Sequence, residues 1–499
     1  MEKIEKWDFF EVKVQGKASQ DPYFETITGS FKGENESKEV DGFYNGNNEY
    51  VVRFMPSFTG HYSYKINGSA VESTIGEFEV TEPTGNNKGM VRVANTYHFV
   101  YEDGDPYYSV GTTAYAWVNQ KEELQEQTIE TLKSAGFNKM RFCIFPKHYD
   151  YNMHEPITYP FERENGEGLD HAALEKAFCN PPVEKKDTDF NYYHYNIEHF
   201  KRFDLRIKQL RDLNIQADII IFHPYDRWGN SCMTSEADDR YLQYVVARYS
   251  AYRNVWWAFA NEYDLMFTKS IQDWERFASI VLKKDVYHHL RSIHNCIAFY
   301  DHSRPWITHC SLQRQDLYRH VEYTDEYRER WQKPIVWDEI GYEGNINWGW
   351  GNLTPEEEMR RFWEASLRGG YCGHGETYVH PENILWWSHG GKLHGQSPAR
   401  IRFLYQILSQ TPGIGLKRYP GMFDETVSGV DTPLDPGYRI YYYGFQRPSF
   451  RDFLVDHKVK VEVIDTWNMT IENQGEYEGS FRIQLPARQW MAVRLIPVK

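Results

Sequence analysis

The sequence predicts an α/β chain, a (β/α)8 TIM barrel flanked by an N-terminal immunoglobulin-like β-sandwich and a C-terminal β-sandwich. Three observations carry that prediction. Short alternating apolar and polar runs fill both ends of the 499-residue chain, and strand–helix alternation fills its middle. Within that middle, two apolar strand-like runs, Trp256–Glu262 and Pro334–Glu339, stop abruptly at acids.

Residues 1–83 show short runs at Phe9–Val14, Tyr50–Phe54, Gly60–Ile66 and Gly76–Val80, separated by Gly- and Asn-rich turns. Regular spacing of that kind reads as a sandwich. A linker from Pro83 to Gly89 follows. The expected barrel occupies 90–412. Its strands are Tyr107–Ala114, Lys139–Phe145, Gln216–Phe222, Val255–Ala260, Leu290–Asn295, Trp306–Cys310, Ile335–Glu339 and Gly370–Gly375. Amphipathic stretches such as Glu122–Ala135, His199–Leu213 and Glu356–Arg368 lie between them. A long aromatic loop, 146–197, follows the second strand, at the face where barrel loops shape substrate pockets. Residues 413–499 return to short strands and form the second sandwich.

Bulk properties narrow the classes of partner. A net charge of −15 argues against nucleic acid, whose backbone calls for basic patches. No apolar run approaches 18 residues, so no membrane span is expected. The N-terminal residues lack a basic segment followed by an apolar one, and six scattered cysteines form no CxxC pair. These point to a reduced, cytoplasmic protein. The aromatic content is rich, 16 Trp and 37 Tyr: most is expected in a large core and on sandwich faces, and a minority against the apolar faces of sugars. The flanking sandwiches suit bracing and homo-oligomerisation.

A buried strand excludes an unpaired acid, because desolvating a charge is expensive. Glu262 and Glu339, each ending such a strand, are therefore candidates for chemistry. Two strand-tip carboxylates are what glycoside hydrolysis uses: one protonates the leaving oxygen and the other attacks. Glu339 is preferred over Asp338 for its longer stem and the Ile-Gly-Tyr turn after it. Glu343 reads as a solvated loop acid. Arg141, at the tip of the second strand, is the cation expected to keep Glu339 ionised. Burial and the charge on Glu339 are expected to raise Glu262. Asn261 is expected to reach a sugar hydroxyl, which requires the strand to end or bulge there.

The tips taken together resemble the clan of retaining glycosidases on (β/α)8 barrels whose acid/base follows an Asn on strand 4 and whose nucleophile ends strand 7. Arg141, His223 in Phe-His-Pro-Tyr, Asn261-Glu262, Glu339, and Trp386 or Trp387 match that pattern, and His309 is placed at the sixth tip. No Tyr stands clearly beside the nucleophile. The layout and the run Trp-Ile-Thr-His-Cys-Ser-Leu-Gln are similar to bacterial apiosidase-like glycosidases. The resemblance implies a retaining, exo-acting glycosidase needing no cofactor. Glu262 and Glu339 would be catalytic, about 5–5.5 Å apart. Arg141, His223, Asn261, His309, Glu376, Trp386 and Trp387 would bind substrate. One rival is a carbohydrate-binding protein without activity. Another is a metal-dependent hydrolase using the strand 8 loop with His374, Glu376 and His380.

Overall fold

The computed structural model describes residues 1–164, 190–316, 318–380, 385–422 and 425–498. Cys179 and part of the loop expected at 146–197 lie outside them.

The N-terminal region holds β1 (Glu2–Glu5), β2 (Phe10–Gln15), β3 (Ile27–Lys32), β4 (Ser37–Asp41), β5 (Phe43–Tyr44), β6 (Glu49–Phe54), β7 (Gly60–Gly68) and β8 (Thr74–Thr81). They form two sheets, β1-β8-β7-β3-β4 and β2-β6-β5. In β2, Phe10, Val12 and Val14 are buried while Glu11, Lys13 and Gln15 are not, the period-two pattern of a strand with one face on a core. The sheets meet through rings: Phe10 stacks on Phe78 at 4.0 Å and Phe31 on Phe54 at 4.3 Å. A hairpin of β9 (Val91–Ala94) and β10 (His98–Tyr101) leads to the barrel.

Eight parallel strands build the barrel. They are β11 (Val110–Thr113), β12 (Lys139–Cys143), β15 (Gln216–Phe222), β16 (Val255–Ala260), β17 (Arg291–Ser292), β18 (Cys310–Leu312), β19 (Ile335–Trp337) and β21 (Tyr371–His374). Between the second and third lies a hairpin, β13 (Phe161–Arg163) with β14 (Phe190–Tyr195). The bridge between His294 and Ser311 closes the ring. Every residue of β15 and β16 is buried, because helices cover the outside and side chains fill the inside. A small annex, β20 (Glu343–Gly344) on β22 (Glu376–Thr377), joins the loops after the seventh and eighth strands. The helices include α1 (Glu122–Ala135), α2 (Ile197–Asp212), α3 (Ser235–Tyr249), α4 (Ile271–Lys284), α5 (Thr324–Trp331), α6 (Pro355–Leu367), α7 (Trp386–His389) and α8 (Ser397–Leu408). Local chemistry sets their starts. Ser270 and Asp273 form a capping box on α4, and Asn196 accepts from the first turn of α2.

One expected strand is out of register. Trp306 and Ile307, expected to begin the sixth strand, lie instead in turns held by Arg304 N to Asp301 O and Ile307 N to Arg304 O. Pairing with β19 begins only at Cys310. His309 therefore precedes the strand, at the end of the barrel away from the strand tips. Pro305 accounts for the delay, since it fixes its own backbone and has no N–H for a ladder.

The C-terminal region is one antiparallel sheet of β23 (Leu416–Tyr419), β24 (Thr426–Val430), β25 (Arg439–Tyr442), β26 (Phe450–Asp465), β27 (Thr470–Gln484) and β28 (Met491–Pro497). A two-sheet sandwich is expected from the sequence. Instead the long hairpin of β26 and β27 loses register between Val455 and Val459, and its far half comes back over β24 and β25. Phe453 packs on Tyr441 at 5.1 Å and Arg451 bridges Glu425 at 2.7 Å. The other side meets the barrel, where Trp363 of α6 stacks on Tyr442 at 5.3 Å. Among the described residues, no helix is long and apolar enough to cross a membrane.

Arg53 joins the N-terminal region to the barrel. Its guanidinium donates to Asp204 on α2 at 2.8 Å, to the Arg248 carbonyl at 2.7 Å and to Glu11 at 2.8 Å. Arg248 grips Asp204 as well, at 2.7 Å. Burial pushes the Asp204 carboxyl up, but the two arginines outweigh it and hold it below its ordinary value. The resulting stability is fully present above the unfolded value of about 3.9 and is lost as pH falls through the lower folded one. Arg53→Ala is expected to cost about 3 kcal/mol and to move acid unfolding to higher pH. Melting and acid titration of the variant would read this; an unchanged midpoint in both would show that the junction is held elsewhere.

Candidate active site

The strand tips converge on a cavity of about 400 Å³. Glu262 and Glu339 both line it, with Tyr115, Lys147, Tyr149, Tyr225 and Asn261. Their side chains are nearly enclosed, Glu262 being 7% exposed and the Glu339 side chain 15%.

A left-handed residue presents both Asn261 and Glu262 to the cavity. Glu262 has φ 53° and ψ 56°, a region that costs a residue with a Cβ about 1–2 kcal/mol. The amide of Asn261 bonds back to β15 through Phe222 O at 3.0 Å, and that of Tyr263 bonds forward to His294 O at 2.9 Å. The turn, rather than a bulge, lets neighbouring residues serve one pocket.

Each acid receives a tyrosine hydroxyl. Tyr115, just past β11, donates to Glu339 Oε1, and Tyr225, past β15, donates to Glu262 Oε2. Burial above all, then the neighbouring carboxylates, pushes both hydroxyls well above the ordinary phenol value, so they remain donors. Gln313, at the true tip of β18, donates to Glu262 Oε1 at 2.8 Å. The two acids are also connected. Asn261 donates to Glu262 at 3.3 Å and accepts from Arg141 Nη1 at 2.7 Å, and the same nitrogen reaches the Tyr115 oxygen at 3.1 Å. Arg141 Nη1 is 3.9 Å from Glu339 Oε1.

Below this rim lies a buried layer of charge. Lys139 Nζ contacts Asp218 at 2.8 Å and Asp338 at 2.5 Å, and Ser311 donates to Asp338 at 2.5 Å. Burial pushes Asp218 up. At Asp338, Lys139 and Arg141 outweigh burial and hold the carboxyl well below its usual range. Asp338 thus points into the barrel interior and Glu339 into the cavity.

Burial, and then the charge of Glu262, push the Glu339 carboxyl up to about 7, against the pull of Arg141, the Tyr115 hydroxyl and Lys147. The sequence leads one to expect Glu339 to be held ionised by Arg141. In the structure Arg141 offsets the upward push without cancelling it.

Of the other sequence-predicted residues, Trp387 lines the cavity with Arg141 close beneath. Trp386 faces the other way, donating to Thr112 at 2.8 Å. His223 is buried behind the tip on the Phe145 carbonyl at 3.2 Å, and burial pushes it down to about 3. His309 sits at the opposite end of the barrel against Phe99 and Trp256. Glu376 accepts the amides of His394 at 2.5 Å and Gly395 at 2.8 Å, a bracing role in the annex. Glu343 is fully buried beside it on Ser397 rather than solvated. His374 turns to Thr112 at 3.0 Å and His380 stacks on His394, so the strand 8 loop does not converge. Among the described residues, no three His, Cys, Asp or Glu side chains form a group able to hold a metal.

Sequence reasoning does not single out Tyr115, Lys147, Tyr225 or Gln313. Tyr115 and Tyr225 follow predicted strands closely, so a search of every strand tip for hydroxyl donors would find them. Gln313 is hidden by the shifted sixth strand. Lys147 sits in a loop with no periodicity to mark it.

Residues 93–406 match a family described as the apiosidase-like catalytic domain. Residues 3–69 and 424–496 match two domains of unknown function, DUF5060 and DUF5605. A Bacteroides vulgatus ATCC 8482 structure, provisionally assigned as a glycoside hydrolase, is 33% identical with a TM-score of 0.90, covering 100% of both chains. A glycoside hydrolase family 5 structure from the same organism is 13% identical with a TM-score of 0.58, covering 82% of this chain and 94% of its own. The latter likeness is one of fold. No curated protein matches the chain.

If the left-handed turn at Glu262 is strained for the sake of the site, glycine should relieve it. Glu262→Gly and Glu262→Ala lose the same hydrogen bonds, yet the glycine variant is expected to be more stable by about 1 kcal/mol. Denaturant midpoints of the two variants would show it, and a less stable glycine variant would refute the strain.

Proposed function

Because the chain belongs to the apiosidase-like catalytic-domain family, we propose that it is a retaining, exo-acting glycoside hydrolase. Its substrate would be a short oligosaccharide or glycoside, from which it removes the terminal sugar. The carrying observation is the pair of nearly enclosed glutamates on one cavity, each anchored by a tyrosine and joined through Asn261 and Arg141.

In this reading Glu339 attacks the anomeric carbon while Glu262 gives its proton to the departing oxygen. Glu262 then takes a proton from water, whose oxygen displaces Glu339. One proton held between the two acids is what the first step needs, and the mutual repulsion that lifts Glu339 supports such sharing. Tyr115 and Arg141 stabilise the Glu339 carboxylate and so oppose that lift without cancelling it. Glycosylation of Glu339 removes its charge and frees Glu262 to act as base. Asn261 is placed to bond a ring hydroxyl. The exo preference is supported by a wall of rings on one side: Trp350 lies 4.8 Å and Tyr149 5.2 Å from Trp387.

Wild type should hydrolyse at least one aryl glycoside of apiose, xylose, arabinose, galactose, glucose or rhamnose. Nuclear magnetic resonance of the first-formed sugar should show retained anomeric configuration. Glu262→Ala should lower kcat by about 10³-fold, and Glu339→Ala by about as much or more, with azide rescuing the latter. Variants that keep wild-type rates, or an inverted product, would refute the reading. Tyr115→Phe removes a bond that lowers Glu339, so the acidic limb of the pH–rate profile should move to higher pH. A limb that stays in place would remove Tyr115 from the account.

A further inference from the structure

Lys147 is a buried cation without a counter-ion. It is 2% exposed and lines the same cavity as Glu262 and Glu339. Its Nζ lies over four rings, 3.7 Å from the centre of Tyr115, 4.2 Å from Tyr225, 4.8 Å from Tyr149 and 5.5 Å from Trp387. Among the described residues it forms no ion pair and no side-chain hydrogen bond. Among the described residues, other enclosed lysine side chains differ in this respect: Lys139 contacts two carboxylates and Lys269 bonds Asp238. The charges of Glu262 and Glu339 reach Lys147 only across the cavity, and burial lowers its ammonium.

Enclosing an ammonium with only the cavity to supply acceptors is costly, and cation–π contacts return only part of that cost. A protein that needed only packing here would gain by carrying Met or Leu. The backbone around Lys147 is fixed as well. Asn152 donates to the Lys147 carbonyl and receives His389 at 3.0 Å, while the amide of His148 bonds the Tyr225 carbonyl at 2.9 Å. Tyr149, one wall of the ring cage, is tied to Ser388 at 2.5 Å. The cation is thus held in place before any ligand arrives, with N–H donors left for one.

We propose that Lys147 recognises the terminal sugar, donating its ammonium hydrogens to oxygen acceptors on the edge of the ring that faces Tyr115 and Tyr225. This rests on the site being a sugar site, as argued above, and adds a requirement on the substrate. The ring must carry on that edge either adjacent hydroxyls or a carboxylate. Both supply the same acceptor chemistry, and the experiment separates them.

Calorimetric titration of the full-length protein with monosaccharides reads the interaction without any turnover. The probes are galactose and galacturonate, glucose and glucuronate, xylose, arabinose and rhamnose, with singly deoxygenated forms of whichever binds tightest. Lys147→Met keeps the stem and removes the charge, and Lys147→Arg keeps the charge. The Met variant should lose about 10-fold or more in affinity for the preferred sugar, with Arg restoring part of it. Preference for a uronate that vanishes in the Met variant identifies a carboxylate acceptor. A deoxygenation that weakens binding to wild type, but not to the Met variant, identifies a hydroxyl. Unchanged affinities, a loss with every deoxygenation penalty intact, or no binding of any probe to wild type would each overturn the proposal. Sugar binding that depends on Lys147 in a protein without hydrolysis would refute the enzyme reading alone. Hydrolysis with discrimination untouched by Lys147→Met would refute only the role of Lys147.

Discussion

Four buried charges carry the architecture of the site. Lys139, Arg141, Asp218 and Asp338 fill the barrel interior beneath the strand tips, two cations against two carboxylates. The layer is neutral as a whole, and this is what lets a guanidinium stand at the floor of an enclosed cavity. Removing one partner from such a group leaves an uncompensated charge, at a cost of about 3–5 kcal/mol. Arg141 is the member that looks upward. Its Nη1 meets both Asn261 and Tyr115, and through them the two glutamates. The placement of the two glutamates therefore depends on a charge layer that lies beneath the cavity.

What was legible in the sequence follows from how strongly burial marks each element. The third and fourth strands are apolar on both faces, and their expected limits, Gln216–Phe222 and Val255–Ala260, are those observed. The acids that end such runs stand out for the same reason. The sixth strand is three residues long, and its register is set by pairing with β19, a partner that local pattern does not reveal. That shift placed His309 at a tip it does not occupy and hid Gln313. Tyr115 lies 224 residues from the carboxylate it serves, so only closure of the barrel brings the two together. The C-terminal sheet was legible as strands. Its return over itself depends on a register change within one long hairpin.

The strand 8 loop shows why burial of an acid is not by itself a sign of chemistry. Glu376 and Glu339 are both pushed up to about 7, and burial is the leading cause in each. Their partners differ. Glu376 is held by two backbone amides, and Glu343 beside it by the amide and hydroxyl of Ser397. Gly395 completes that packing, since a Cβ there would fall 1.3 Å from Glu343 Oε1. Amides that belong to the chain fix a carboxylate permanently and leave no approach for a ligand. Glu262 and Glu339 are held instead from one side by hydroxyls and amides of side chains, with the cavity on the other.

The lifted carboxyl of Glu339 follows first from its burial and then from the charge of Glu262 on the same cavity. Two acids enclosed on one cavity cannot both ionise freely, and enclosure sharpens their repulsion. Retreat into solvent would relieve it and forfeit the geometry. Positive charge and hydrogen bonds must therefore act on Glu339, and they arrive from three directions: Arg141 below, Tyr115 beside and Lys147 across. Arg141 is committed to the floor and Tyr115 carries no charge. Lys147 alone combines a charge with uncommitted donors, so the group that eases the repulsion is also the one positioned to read the sugar. A change at that position would alter ionisation and recognition together, which ties what the site binds to how its acids divide their proton.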